Sequence, residues 1–119
     1  MLNQKFDITK RCFEFGCLIV STISKIPKTP AGYAIANQVI RSGTSVGANV
    51  VEAQDASSKK EFIRSMTIAL KEARETIYWL SIINQTKLLS LAEIEACLNE
   101  SKQIRSILGA IVTNSKKNS

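Results

Sequence analysis

Histidine is absent from the 119 residues. With it goes the side chain that most often serves as general base or metal ligand near neutral pH. Di-iron carboxylate bundles, which need Glu-x-x-His pairs, are excluded on the same ground. Cysteine is sparse: Cys12, Cys17 and Cys97 are odd in number and at no metal-like spacing, so they read as small apolar residues of a reducing cytosol. Aromatics are few, one Trp, two Tyr and four Phe, so any core is mostly aliphatic. The two prolines, Pro27 and Pro30, share the segment "IPKTPAG", and the chain from Ala31 to Ser119 is free of the strongest helix breaker. No stretch sustains period-two alternation, which excludes a sheet. The early run "KRCFEFGCLIVSTISKI" has the basic-then-apolar look of a signal peptide. Glu14 interrupts it, however, and no small-x-small cleavage site precedes Pro27. Its apolar part is also too short to span a bilayer, so a helix of a cytoplasmic protein with no membrane partner is expected.

What remains is globular: 45% hydrophobic against 22% charged residues, in one domain over residues 1–119. Ile8, Cys12, Phe15, Ile19, Ile23 and Ile26 recur at helical spacing and predict a first helix over about 5–26. Ala36, Val39, Gly43, Val46, Val50 and Ala53 predict a second over about 31–55. "DASSKKEF" supplies a turn and a start signal, with Ser57 or Ser58 as cap and Glu61 three residues after Ser58. The third helix runs over about 58–86 with Phe62, Ile63, Met66, Ala69, Leu70, Ala73, Ile77 and Leu80 inward. The fourth runs over about 90–114, starting at Ser90 with Glu93 three on, and buries Ile94, Cys97, Leu98, Ile104, Leu108, Ile111 and Val112. Four helices joined by short loops predict an all-α, antiparallel up-down four-helix bundle.

Helix two poses its own question. Between Thr29 and Val51 the one charged side chain is Arg41, and Gly43 and Gly47 lie four residues apart. Each glycine costs about 1 kcal/mol of helix propensity, a cost tolerated where a neighbouring helix comes close. The Gly-x-Gly pattern and strand-turn-helix setting of a phosphate loop are missing. Gln38, Arg41, Ser45, Asn49 and Glu52 share one stripe. They read as an interhelical hydrogen-bond network in which Glu72 or Glu75 neutralises Arg41, or else as a ligand-facing groove; the first is preferred.

Two further faces matter. Ile68, Trp79 and Ile82 lie opposite the predicted core face of helix three, and Tyr33, Ile40 and Val51 flank that of helix two. Apolar residues in such places mark a partner surface, and self-association is the economical partner. Along another edge run Lys60, Arg64, Lys71 and Arg74, then Tyr78, within about 80° of arc. The net charge is +6. Such an edge can follow a phosphate backbone with an aromatic to stack on a base. It can also be a solvated face with local pairs such as Lys71 with Glu75, the preferred reading for a single subunit, whereas repetition around a ring would multiply the field.

The segments "QVIRSGTSVGANVVEAQ" and "SKKEFIRSMTIALKEARETIYWLSII" closely resemble the 23S rRNA intervening-sequence (S23-like) proteins. The family pattern Gln-x-x-Arg-x-x-x-Ser-hydrophobic-x-x-Asn-x-x-Glu is met by Gln38, Arg41, Ser45, Val46, Asn49 and Glu52. The chain departs at Val51-Glu52-Ala53, where many members have Ala-Glu-Gly, and has Phe13 and Phe15 where many have a Trp. The resemblance implies a bacterial four-helix bundle assembling as a homopentameric ring, with no assigned enzymatic activity and no cofactor. It extends distantly to the accessory protein of diversity-generating retroelements, a basic pentamer that works with a reverse transcriptase and RNA. Two functions are therefore expected. In the first, the ring binds RNA or a nucleic-acid-handling partner through repeated basic edges. In the second, the chain is a structural adaptor that assembles proteins without nucleic acid. Catalysis is not expected, since no nucleophile–base pair is visible.

Overall fold

A computed structural model describes residues 7–118. Four helices follow one another: α1 (Ile8–Ile23), α2 (Pro30–Gln54), α3 (Lys59–Thr86) and α4 (Leu91–Lys117). No strand occurs among the described residues. Helices adjacent in sequence pack side by side, and α1 returns to α4 to close the square. Residues 5 and 6 of the expected first helix lie outside the described span. The last turn expected for α1, up to Ile26, is instead a turn that buries the Ile26 side chain.

Local chemistry explains each start. Asp7, Thr29, Ser58 and Ser90 sit at the four N-caps, each side-chain oxygen accepting from a backbone N–H three residues on. Such a bond satisfies a donor that the helix leaves unpaired. Pro30 occupies the first turn of α2, where its missing N–H costs nothing. At Ser90 the reciprocal box is complete, the Glu93 carboxylate accepting from the Ser90 N–H at 2.9 Å. At Ser58 it is not. Glu61 reaches past the cap and accepts from the Ser57 N–H and hydroxyl, at 3.1 and 3.0 Å. The α3 terminus is closed by Lys87 in the left-handed region, φ 58°, with Leu88 N–H donating to the Ile83 carbonyl at 3.2 Å in the manner of a helix-ending loop.

The core is aliphatic as expected, and among the described residues Phe15 is its one fully buried aromatic. The periodic faces of α1, α2 and α4 enter it, apart from Ile8, Ala36 and Ile111, which pack on its margin. On α3 the inward face is rotated. Thr76 and Ile83 are buried, whereas Phe62, Ile63 and Ile77 are half-buried. Thr76 is admitted because its hydroxyl donates to Ser42 Oγ at 2.8 Å and Ser42 donates to the Val39 carbonyl at 3.3 Å. A buried hydroxyl without such partners is costly.

Gly43 and Gly47 carry the close approach of α1 to α2. A Cβ on Gly43 would meet Ile19 side-chain atoms at 2.9–3.3 Å, and one on Gly47 would meet the Cys12 backbone at 3.3 Å. Gly109 in α4 is different, because a Cβ there meets nothing within 4 Å. Gly109→Ala is therefore expected to stabilise the fold by roughly 0.5–1 kcal/mol, raising Tm by a few degrees in thermal unfolding. A fall in Tm would mean that another molecule packs at that position.

The α1–α4 edge is clamped by Arg11, whose guanidinium donates to both Glu100 carboxylate oxygens at 2.7 and 2.9 Å and to Gln103 at 2.8 Å. This bidentate pair, which the sequence does not announce, raises the pKa of Arg11, chiefly through the Glu100 hydrogen bonds.

Candidate nucleic-acid interface

The exposed line of α3 is Lys60, Arg64, Thr67, Lys71, Arg74, Tyr78, Ser81 and Gln85, a 4-3-4-3 series opposite the buried Met66, Ala69, Leu70, Ala73 and Leu80. No carboxylate stands on it. The acidic residues of α3 are turned elsewhere by their partners. Glu72 and Glu75 face α2 and pair with Arg41, and Glu61 caps Ser57. Hydrogen bonds from Ser57 hold the Glu61 carboxyl below its ordinary range, with the nearby Arg64 charge a smaller contribution. The expected Lys71–Glu75 pair does not form, because Glu75 is engaged by Arg41 and Trp79. Among the described residues none of Lys60, Arg64, Lys71 and Arg74 has an ion pair. From Lys60 to Tyr78 the line is about 27 Å long. Four solvated cations without ion pairs on a straight ridge, with Glu52, Asp55 and Glu61 grouped beside Arg64 at its start, form a potential that draws polyanions and falls with salt.

The polar stripe of α2 divides in two. Arg41 reaches α3, donating to Glu72 at 3.4 Å and to Glu75, while its other contact is the Gln38 side-chain oxygen at 3.2 Å. Ser45 and Asn49 instead donate to carbonyls of their own helix, at 2.6 and 2.8 Å. Glu52 is exposed. The expected interhelical network is thus an Arg41–Glu72–Glu75 cluster with Gln38 beside it. Trp79 is its outer member: the indole N–H donates to the Glu75 carboxylate at 3.1 Å, and the ring meets Tyr78 edge-to-face, centroids 5.1 Å apart. Tyr78 itself is 60% exposed.

The residues expected to face a partner are placed unevenly. Ile40, Trp79 and Ile82 pack on the margin of the molecule's own core and Ile68 is half-buried, because the inward face of α3 is broader than its spacing implies. Tyr33 and Val51 remain exposed. An unpartnered apolar surface lies between α1 and α2, a groove of about 790 Å³ whose walls include Phe13, Gly16, Cys17, Val20, Ala48 and Val51. Phe13 is 70% exposed beside it. Its signal was present in the sequence as apolar Phe13 and Val20 outside the α1 core register.

Burial distinguishes the thiols. Burial pushes the Cys12 thiol up to about 12 and raises Cys97 as well, while Cys17 is exposed. At pH 8 only about 10⁻⁴ of a thiol with the Cys12 value is thiolate. A thiol reagent should therefore label one cysteine of the native protein quickly, Cys17, and all three only after denaturation. Rapid labelling of Cys12, read by peptide mass spectrometry, would contradict this placement.

No cluster of metal-ligating side chains occurs among the described residues, and no described helix is long and apolar enough to cross a membrane. Residues 4–110 match the family described as 23S rRNA-intervening sequence protein. A similar solved structure is a protein of unknown function from the S23 ribosomal protein family of Bacteroides thetaiotaomicron VPI-5482. It is 35% identical over 88% of this chain and 97% of that one, with a TM-score of 0.82. No curated protein matches.

Proposed function

Because the chain belongs to the 23S rRNA-intervening sequence protein family, we propose that it is a non-catalytic helical bundle that binds RNA, directly or alongside a nucleic-acid-handling protein, through the exposed line of α3. The observation that carries this reading is the absence of any carboxylate or ion pair along Lys60, Arg64, Lys71 and Arg74. An ordinary solvated helix mixes charges of both signs for local pairing; this one sends its acids to α2 and to a cap. The reading includes self-association in the cytoplasm. A ring of five is taken from the family resemblance, and the α1–α2 groove supplies an uncharged face through which copies of a +6 chain can meet without juxtaposing their α3 ridges. Repetition around a ring multiplies the positive field.

The test is affinity for a labelled RNA across a salt series. With four phosphate contacts to a single strand, log K should fall with log salt at a slope of about −2.8, which is roughly 50-fold weaker binding between 50 and 200 mM salt. A flat response would remove phosphate contact as the main source of affinity.

The second reading, an adaptor that assembles proteins without nucleic acid, is favoured by the same groove and by Phe13. Under it, Phe13→Ser changes the oligomer mass on a sizing column while the α3 cations are immaterial.

A further inference from the structure

We propose that the ligand of the α3 ridge is a single-stranded polynucleotide, with one unpaired base stacked on the Tyr78 ring and the Arg41–Glu75–Trp79 chain holding that ring in place. The inference rests on the nucleic-acid reading above and names the form of the polymer. Three observations carry it. The ridge changes chemistry at Tyr78: up to Arg74 it presents cations, and beyond Tyr78 the same line carries the uncharged Ser81 and Gln85, the next exposed cation being Lys87 at the helix C-cap. Phosphate tracking therefore ends where an aromatic face begins, and Arg74 lies about 6 Å before Tyr78 along the axis, beside the phosphate of a stacked nucleotide.

The ring is also held. Its edge-to-face neighbour Trp79 is bonded to Glu75, and Glu75 is bonded to Arg41 from α2. Glu75 thus joins two helices and fixes the indole against which Tyr78 leans. An aromatic ordered during folding loses little further freedom when a base lands on it. Finally, a paired base is stacked on both faces inside its helix. The major groove of duplex RNA is too deep and narrow for side chains to read, so a duplex can use the cations but not the ring. Stacking on an aromatic is tolerant of base identity and belongs to single strands.

The experiment measures anisotropy of labelled oligo(U) RNA, oligo(dT) DNA and a blunt RNA duplex of equal length with the full chain at low salt. Tyr78→Ala should weaken both single strands by about 10-fold and leave the duplex unchanged, whereas Tyr78→Phe retains single-strand affinity. Trp79→Phe, which removes the indole bond to Glu75 without changing charge, should weaken single strands by about threefold and add nothing in the Tyr78→Ala background. Circular dichroism checks that each variant is folded. Tyr78→Ala lowering neither single strand, or lowering duplex equally, overturns the stacking inference while leaving the ridge a nucleic-acid site. Failure of the unmodified protein to bind any of the three probes overturns the nucleic-acid reading itself, and this inference with it.

Discussion

Replacing Lys60, Arg64, Lys71 and Arg74 together by Gln is expected to lower RNA affinity by about 100-fold at 50 mM salt, with the salt slope falling toward zero. All four side chains are exposed and none has an ion pair, so their removal leaves no buried charge behind. Surface changes of this kind alter stability by about 0.5 kcal/mol or less each, and glutamine keeps good helix propensity. The variant should accordingly retain its Tm and its oligomer mass. That combination separates the two functional readings. Lost binding and lost cellular function with an intact assembly support the RNA reading. Intact assembly and unchanged cellular function once RNA binding is lost would support the adaptor. A matched control is Lys102→Gln with Arg105→Gln on α4, also exposed, which removes charge away from the α3 ridge. A comparable loss there would show that net charge, rather than the ridge, governs binding.

Gly32→Ala should be the most damaging single methyl group in the molecule, costing about 2–4 kcal/mol and lowering Tm by roughly 10 °C. Gly32 is buried at the first turn of α2, where its N–H donates to Thr29 Oγ1 at 3.0 Å. A Cβ there would run into the Pro27 carbonyl oxygen, with the Pro27 carbonyl carbon at 3.1 Å and Ile26 Cγ2 at 3.0 Å. The obstacle is backbone, and it cannot rotate aside. Proline fixes φ at Pro27, and the same carbonyl accepts from the Thr29 N–H at 2.9 Å, so the turn has little slack. Gly43→Ala meets only the Ile19 side chain, which can shift, and alanine regains about 1 kcal/mol of helix propensity. Thermal unfolding of the two variants side by side should show Gly32→Ala far below Gly43→Ala. Equal Tm values would mean that the α1–α2 turn yields more easily than its hydrogen bonds imply.

The four helices were legible because their signals are local. Apolar spacing, Ser and Thr caps and the two prolines act within one or two turns, and the observed bounds depart from the expected ones by a few residues at the ends. Arg41 was legible too: a lone charge on an otherwise uncharged helix requires a counter-charge, and the carboxylates of α3 were the candidates. That both Glu72 and Glu75 pair with it, and that Glu75 also binds Trp79, was not readable from spacing. Nor was the pairing of Arg11 with Glu100, which joins the first helix to the last.

The sequence alone therefore decides the helices, the inward faces of α1, α2 and α4 and the row of cations on α3, since each depends on contacts within a helix or on hydrophobic periodicity, whereas the inward face of α3 is rotated from the one its spacing predicts. The tertiary structure decides which acids those cations lack, by drawing Glu72 and Glu75 to Arg41 and leaving the ridge without ion pairs. It also decides where apolar surface stays uncovered, placing Trp79 on the core margin and opening the groove between α1 and α2. The reason is geometric. A helical wheel gives the angle of a side chain about its own axis, whereas burial and ion pairing depend on how close the neighbouring helix comes. In this bundle that distance is set by small residues such as Gly43 and Gly47.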